Sequence, residues 1–155
     1  MEQKYKRAVV PLDGSEEAEA ALRFLPDLLA SDSEVVLVRV VPPAKTQVFE
    51  GYTILSSQQD EVEISRAEAY LRTAGLSLPG ALAERCQYAA VINSSVTDAI
   101  VQVASEREAD VIVMFTHNRK GLARIVKGSI ARQVQKNTDK EVKLYNFDDI
   151  VSRIA

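Results

Sequence analysis

"RAVVPLDGSEEAEAALRFLPDLLASDSEVVLVRVV", residues 7–41, contains a whole strand–helix–strand unit, and its pattern decides the fold. Its two ends, 7–12 and 34–41, are rich in valine and carry no helical period, as expected of strands buried on both faces of a parallel sheet. Between them Ala18, Ala21, Leu22, Leu25 and Leu28 recur at i, i+3, i+4, i+7, which predicts one helix with a single apolar stripe. Ser15 stands where an N-cap belongs, and Glu16 and Glu17 fall in the first turn, where the helix dipole favours acids.

The same alternation continues along the chain. Ile64, Ala67, Leu71 and Ala74 mark a second helix, with Gly75 placed to end it. "LAERCQYAAVI" (82–92) gives a third strand, and Ala99, Ile100, Val103 and Ala104 a third helix behind the capping residues Asn93-Ser94-Ser95. "DVIVMFT" (110–116) is the clearest strand, Ile130 and Val134 place a fourth helix at about 129–137, and "EVKLYNF" (141–147) closes the series. Five strands alternating with four helices predict an open, doubly wound α/β sheet with right-handed crossovers. Segment 42–59 opens with two prolines, has no usable period and is expected to be a mobile surface loop.

A chain of 155 residues, 46% hydrophobic, fits one domain with a core that needs no disulfide or metal. The expected division is a domain over 1–147 followed by a short tail, 148–155, in which Ile150, Val151 and Ile154 could line a helical stripe. Cys86 is the single cysteine, so neither a disulfide framework nor a CxxC site is available, and a reducing cytoplasmic compartment is favoured. The chain start lacks the apolar core and cleavage pattern of a signal peptide, and "VVLVRVV" (35–41) falls far short of the roughly 20 residues of a membrane helix. Neither a membrane nor a nucleic acid is an expected partner, because a net charge of −3 is not that of a general nucleic-acid binder.

Charge is nonetheless unevenly spread. From Val111 to Thr138 there are six cations (Arg119, Lys120, Arg124, Lys127, Arg132, Lys136) and no carboxylate, leaving 13 cations against 22 acids elsewhere. In an open α/β sheet, ligands bind beyond the carboxyl ends of the strands where the strand order reverses. The first helix begins among Asp13, Glu16 and Glu17 and repels phosphate, whereas the fourth begins at Gly128-Ser129 with no acid nearby, so an anion belongs there. Gly121 and Gly128 allow tight turns or close backbone approach, and Asn118 tolerates a left-handed turn. In the plainer structural alternative Phe115 ends a buried strand, Ser129 is an N-cap and the cations form a solvated face.

These residues resemble the universal stress protein family over nearly the whole chain: "VVPLDGSEEAEAAL" (9–22), "DAIVQVASEREADVIVM" (98–114) and the basic segment that follows. Nucleotide-binding members of that family show Gly-x2-Gly-x9-Gly-Ser/Thr. Here the spacing falls on Phe115, Asn118 and Gly128-Ser129, and Ser94-Ser95 replaces a common Gly-Asp. The resemblance implies a parallel sheet in the order 3-2-1-4-5 and a homodimer through the last strand, although Glu141 stands where proline is frequent. It also implies a nucleotide site of Pro11, Asp13, Val41, Phe115, His117, Asn118, Arg119, Lys120, Gly121, Gly128, Ser129 and Ile130. There Asp13 meets ribose or adenine, the Val41 backbone holds adenine, and 115–121 with 128–131 cradle ribose and phosphates. The implied ligand is ATP or AMP, with or without Mg²⁺, and the alternative is a dimeric scaffold whose phosphate loop no longer holds nucleotide.

Two related α/β classes fit less well. A receiver-type domain needs a phosphoacceptor Asp at the end of the third strand, where Ile92-Asn93 stand, and a flavodoxin-like domain needs a hydroxyl- and glycine-rich loop where Asp13, Glu16 and Glu17 lie. His117 is the single histidine and has no carboxylate or cysteine beside it in sequence, which points to a loop residue next to phosphate rather than to a general base. Cys86 is expected to pack as a small hydrophobe. With Asp13 as the one acid placed to serve Mg²⁺, binding and signalling are expected rather than catalysis.

Overall fold

Walking the chain from its Val-rich start, the computed structural model describes residues 4–116 and 130–154. Strand β1 (Tyr5–Pro11) leads into helix α1 (Glu16–Ala20), a 3-10 turn (Ala21–Phe24) and a short α2 (Leu25–Leu28). The apolar stripe predicted for this stretch is present, but the helix is not continuous. Pro26 has no N–H to offer the Leu22 carbonyl, and the chain tightens through the 3-10 turn before it. Strand β2 (Leu29–Val41) starts earlier than its valine run, because Leu29 already pairs with Tyr5 ahead of a register shift.

The segment expected to be an irregular loop contains a hairpin, β3 (Gln47–Phe49) and β4 (Tyr52–Ile54), with Phe49 paired to Tyr52 around Glu50-Gly51. β-Branched and aromatic residues on either side of a glycine at φ +92° provide the signal, and the two rings stack at 5.0 Å. Helices α3 (Ser56–Gly75) and α4 (Gly80–Glu84) follow, so the third sheet strand begins only at Cys86, as β5 (Cys86–Ile92). Then come α5 (Val96–Glu106), β6 (Val111–Phe115), α6 (Ile130–Asn137), β7 (Glu141–Tyr145) and α7 (Phe147–Ile154).

The five long-range strands are parallel in the order β5-β2-β1-β6-β7, which is 3-2-1-4-5 when sheet strands alone are counted. Alternation along them divides the core in two. Val10, Leu37, Val111 and Val113 pack with Leu22, Leu25 and Leu71 on the face of α1 to α4, while Val9, Val38, Ile112 and Met114 pack with Ile100, Val103 and Val134 of α5 and α6. Fully burying each such side chain contributes about 1.5–3 kcal/mol, so the two faces hold the sheet from both sides. Cys86 is half-buried against the first cluster.

The tail is helical and docks on its own chain. Asn146 N–H donates to Asp149 Oδ2 at 2.8 Å and Asp149 N–H returns to Asn146 Oδ1 at 2.9 Å, a reciprocal cap that starts α7. Ile150 is buried, α7 packs on α1, and Tyr145 stacks on Phe24 at 4.0 Å between ring centres. Among the described residues no helix is long and apolar enough to cross a membrane.

Candidate functional site

Pairing between β1 and β6 ends at Val9 with Ile112, whereas β1 stays paired to β2 through Pro11 and β6 to β7 through Phe115. The sheet therefore splits at its switch point, and a cavity of about 430 Å³ occupies the split. Its walls are Pro11, Leu12 and Asp13 after β1, Ala18 of α1, Val38 to Val40 of β2, Val96 and Ile100 of α5, Met114, Phe115 and Thr116 of β6, and Ile130 and Ala131 of α6.

The loop after β1 is built around its acid. Asp13 Oδ1 accepts from the Ser15 N–H at 2.9 Å and from the Ser15 hydroxyl at 2.6 Å. The Ser15 oxygen in turn accepts from Ala18 N–H at 3.1 Å, capping α1 as its sequence predicts. Gly14 between them has φ +89°, and a Cβ there would stand 3.1 Å from Arg39 Nη1. Glycine is required on both counts.

Arg39 reaches this loop from β2. It donates to the Leu12 carbonyl at 3.3 Å, and its guanidinium carbon lies 5.4 Å from the centre of the Tyr70 ring. The Tyr70 hydroxyl is buried without a hydrogen-bond partner of good geometry, although the Gly14 backbone lies within its electrostatic reach. Burial, with the negative charge of Glu19, raises its pKa, while Arg39 opposes the rise.

On the opposite wall the Ser95 hydroxyl caps α5 by accepting from Asp98 N–H at 3.2 Å, and the Thr97 hydroxyl donates to Gln133 Oε1 at 2.8 Å, tying α5 to α6. Thr116 N–H donates to the Tyr145 carbonyl at 2.7 Å and fixes the end of β6.

Of the residues singled out in the sequence, Pro11, Asp13, Phe115 and Ile130 are brought together around the cavity. Val41 lies just beyond its lining: it is buried, its carbonyl accepts from Asn93 N–H at 3.0 Å, and Val40 faces the cavity instead. His117, Asn118, Arg119, Lys120, Gly121, Gly128 and Ser129 lie outside the described residues. Sequence reasoning missed Arg39, and the signal was available. A cation inside "EVVLVRVV" contradicts a strand buried along its whole length, and its place near the carboxyl end puts it at the rim.

Strand order, split and apolar cavity define the class: a doubly wound α/β domain with a ligand-type crevice at its switch point. The chain belongs to the universal stress protein family, whose model matches residues 4–145. A universal stress protein of Methanocaldococcus jannaschii is 28% identical over 144 residues, covering 88% of this chain and 79% of that protein. Two solved structures share the fold. A universal stress protein in complex with cAMP has a TM-score of 0.66 at 22% identity, with 93% of this chain and 98% of that one covered. One from Archaeoglobus fulgidus in complex with dAMP has a TM-score of 0.53 at 23% identity, with coverages of 92% and 98%.

Proposed function

We propose that this protein binds an adenine nucleotide, AMP or ATP, in the switch-point cavity and acts as a cytoplasmic stress-response or signalling protein rather than as an enzyme. The observation that carries the reading is the split between β1 and β6. Its cavity has a volume suited to a small ligand, apolar walls for a flat base, and Asp13, Arg39 and Thr116 as polar groups among the described lining residues. Adenine fits against Val38, Val40 and Met114, and phosphates extend toward the acid-free basic segment and the start of α6. The cAMP and dAMP complexes of related proteins support an adenine ligand. The hydrogen bonds from Ser15 engage Asp13 Oδ1 structurally, which supports binding over turnover.

Calorimetry with AMP and ATP, with and without Mg²⁺, tests this. Heat of binding that weakens as salt is raised is expected, because the cations that meet the phosphates are screened. No heat and no melting shift at millimolar ligand would leave a dimeric scaffold without nucleotide.

A homodimer through β7 belongs to the same proposal. This strand is last in the sheet order, so no described strand pairs with its outer side. The tail packs α7 on α1 of its own chain, and Ile150 in it is buried. Sedimentation of the full chain beside one ending at Asn146 checks it: both are expected to be dimers, and a full-length monomer refutes the arrangement.

A further inference from the structure

Val48, Phe49, Tyr52 and Leu55, on or just after the β3–β4 hairpin, are 77%, 43%, 59% and 51% exposed. Strand alternation puts Phe49 and its cross-strand partner Tyr52 on one face and Val48 on the other, and the two strands pack chiefly on each other. Scattered exposed apolar residues need no explanation, whereas a cluster does. The arm is also anchored. At its base Ala44 N–H donates to Asp60 Oδ1 at 2.8 Å and Ser56 N–H donates to Thr46 Oγ1 at 3.1 Å, which ties both ends of the hairpin to the first turns of α3. The stacked rings of Phe49 and Tyr52 hold its tip, so little freedom is lost when a partner meets it.

Charge says what that partner is. Between Lys45 and Arg66 the chain has four acids, Glu50, Asp60, Glu61 and Glu63, and no cation. Asp60 is engaged by Ala44 and Glu63 by Arg66. Glu50, in the turn between the two rings, and Glu61, in the second turn of α3, are exposed and make no ion pair among the described residues. The four apolar side chains expose roughly 400–500 Å², a patch size that marks interaction sites but falls short of the ~800 Å² each partner brings to a stable interface. An arm-to-arm contact between two copies would set like acids together, and the same acids repel an anionic bilayer. A short apolar segment flanked by cations meets neither obstacle. We propose that the β3–β4 hairpin is a docking arm for a partner protein, and that it takes a segment of that partner in which apolar side chains are flanked by lysine or arginine.

Titration of the full chain with three synthetic peptides, followed by backbone amide shifts, tests this. One carries leucine and tryptophan flanked by lysines, the second the same apolar residues flanked by glutamates, and the third the lysines with serine at every apolar position. The first is expected to bind roughly tenfold or more tighter than the others, with shifts concentrated at the hairpin and the start of α3. Tyr52→Ser, and separately Val48→Ser, which leaves the ring stack in place, should each weaken it roughly fivefold or more. Glu50→Gln with Glu61→Gln should weaken it roughly threefold and reduce its salt dependence. Melting temperatures are expected to match wild type, because the hairpin packs chiefly on itself. Equal binding of the glutamate peptide removes the charge complementarity, and equal binding of the serine peptide removes the apolar contact; either overturns the proposal. So do shifts centred away from the hairpin, an affinity unchanged by both serine substitutions, and no binding of any peptide. Flotation with phosphatidylserine vesicles that Tyr52→Ser abolishes would make the arm a membrane contact, and a dimer that Tyr52→Ser dissociates would make its occupant a second copy. Each of these outcomes overturns the proposal.

Discussion

Replacing Gly14 with alanine tests the loop after β1 on two counts that can be separated. At φ +89° an L-residue costs about 1–2 kcal/mol, because its Cβ crowds the backbone. That Cβ would also lie 3.1 Å from Arg39 Nη1, tight enough for the guanidinium to swing aside and give up the Leu12 carbonyl, a loss of about 0.5–1.5 kcal/mol. Together they come to about 1.5–3.5 kcal/mol, which for a domain of this size lowers the melting temperature by roughly 3–14 °C. Scanning calorimetry of Gly14→Ala is read beside Gly14→Asn, which tolerates positive φ better and should lose less. Adding Arg39→Met to each isolates the contact, since without the guanidinium only the backbone cost remains. The effects should then fall short of additive by a few tenths to about 1 kcal/mol. An unchanged or raised melting temperature for Gly14→Ala would refute the positive-φ loop, and strict additivity would refute the contact with Arg39.

Tyr70→Phe removes a buried hydroxyl whose polar neighbour, the Gly14 backbone, is not met at good hydrogen-bond geometry, so unfolding in urea should show little loss of stability or a small gain. The same variant bears on alkaline behaviour. The folded pKa of Tyr70 is raised above 10.0, so its contribution is whole below pH 10 and is lost as pH climbs through the folded value, and Tyr70→Phe should flatten that fall in a pH series of melts. Thr97→Val removes the hydroxyl that ties α5 to Gln133 of α6, and a cost of about 0.5–1.5 kcal/mol is expected by denaturant titration. Ile150→Ala should cost about 2 kcal/mol, at the low end for a buried isoleucine because α7 is peripheral; a change below about 0.5 kcal/mol would show that α7 does not dock on α1.

The strands were legible because burial on both faces leaves valine runs too short for helices, as in Val9-Val10 and Val111 to Met114. Alternation with helices implied a parallel sheet, and its order, 3-2-1-4-5, was implied by the family resemblance alone. Boundaries failed where one residue outweighed a pattern. Pro26 broke a good apolar stripe, and Leu82 and Ala83, apolar enough to extend a strand, belong to a short helix instead. The hairpin was missed because a three-pair ladder has almost no period to detect. Within the site, Pro11, Asp13, Phe115 and Ile130 follow from position at strand ends and helix starts. Arg39 depends on a neighbour 25 residues away in sequence, Gly14, and on a ring from α3, a coincidence in space that no spacing rule reveals.

Asp13 answers to two masters. Its residue lines the crevice, and its Oδ1 receives both hydrogen bonds of Ser15, which in turn holds the first turn of α1. A chain that gave up its ligand would still keep this acid, because losing it would fray the helix whose Leu22 neighbourhood closes one face of the sheet. Inheritance of the acid and inheritance of the ligand are thereby uncoupled. Within such a fold Asp13 is a marker of architecture, and so in lesser measure is Arg39, whose bond to the Leu12 carbonyl and contact with the Tyr70 ring persist whether or not anything occupies the crevice.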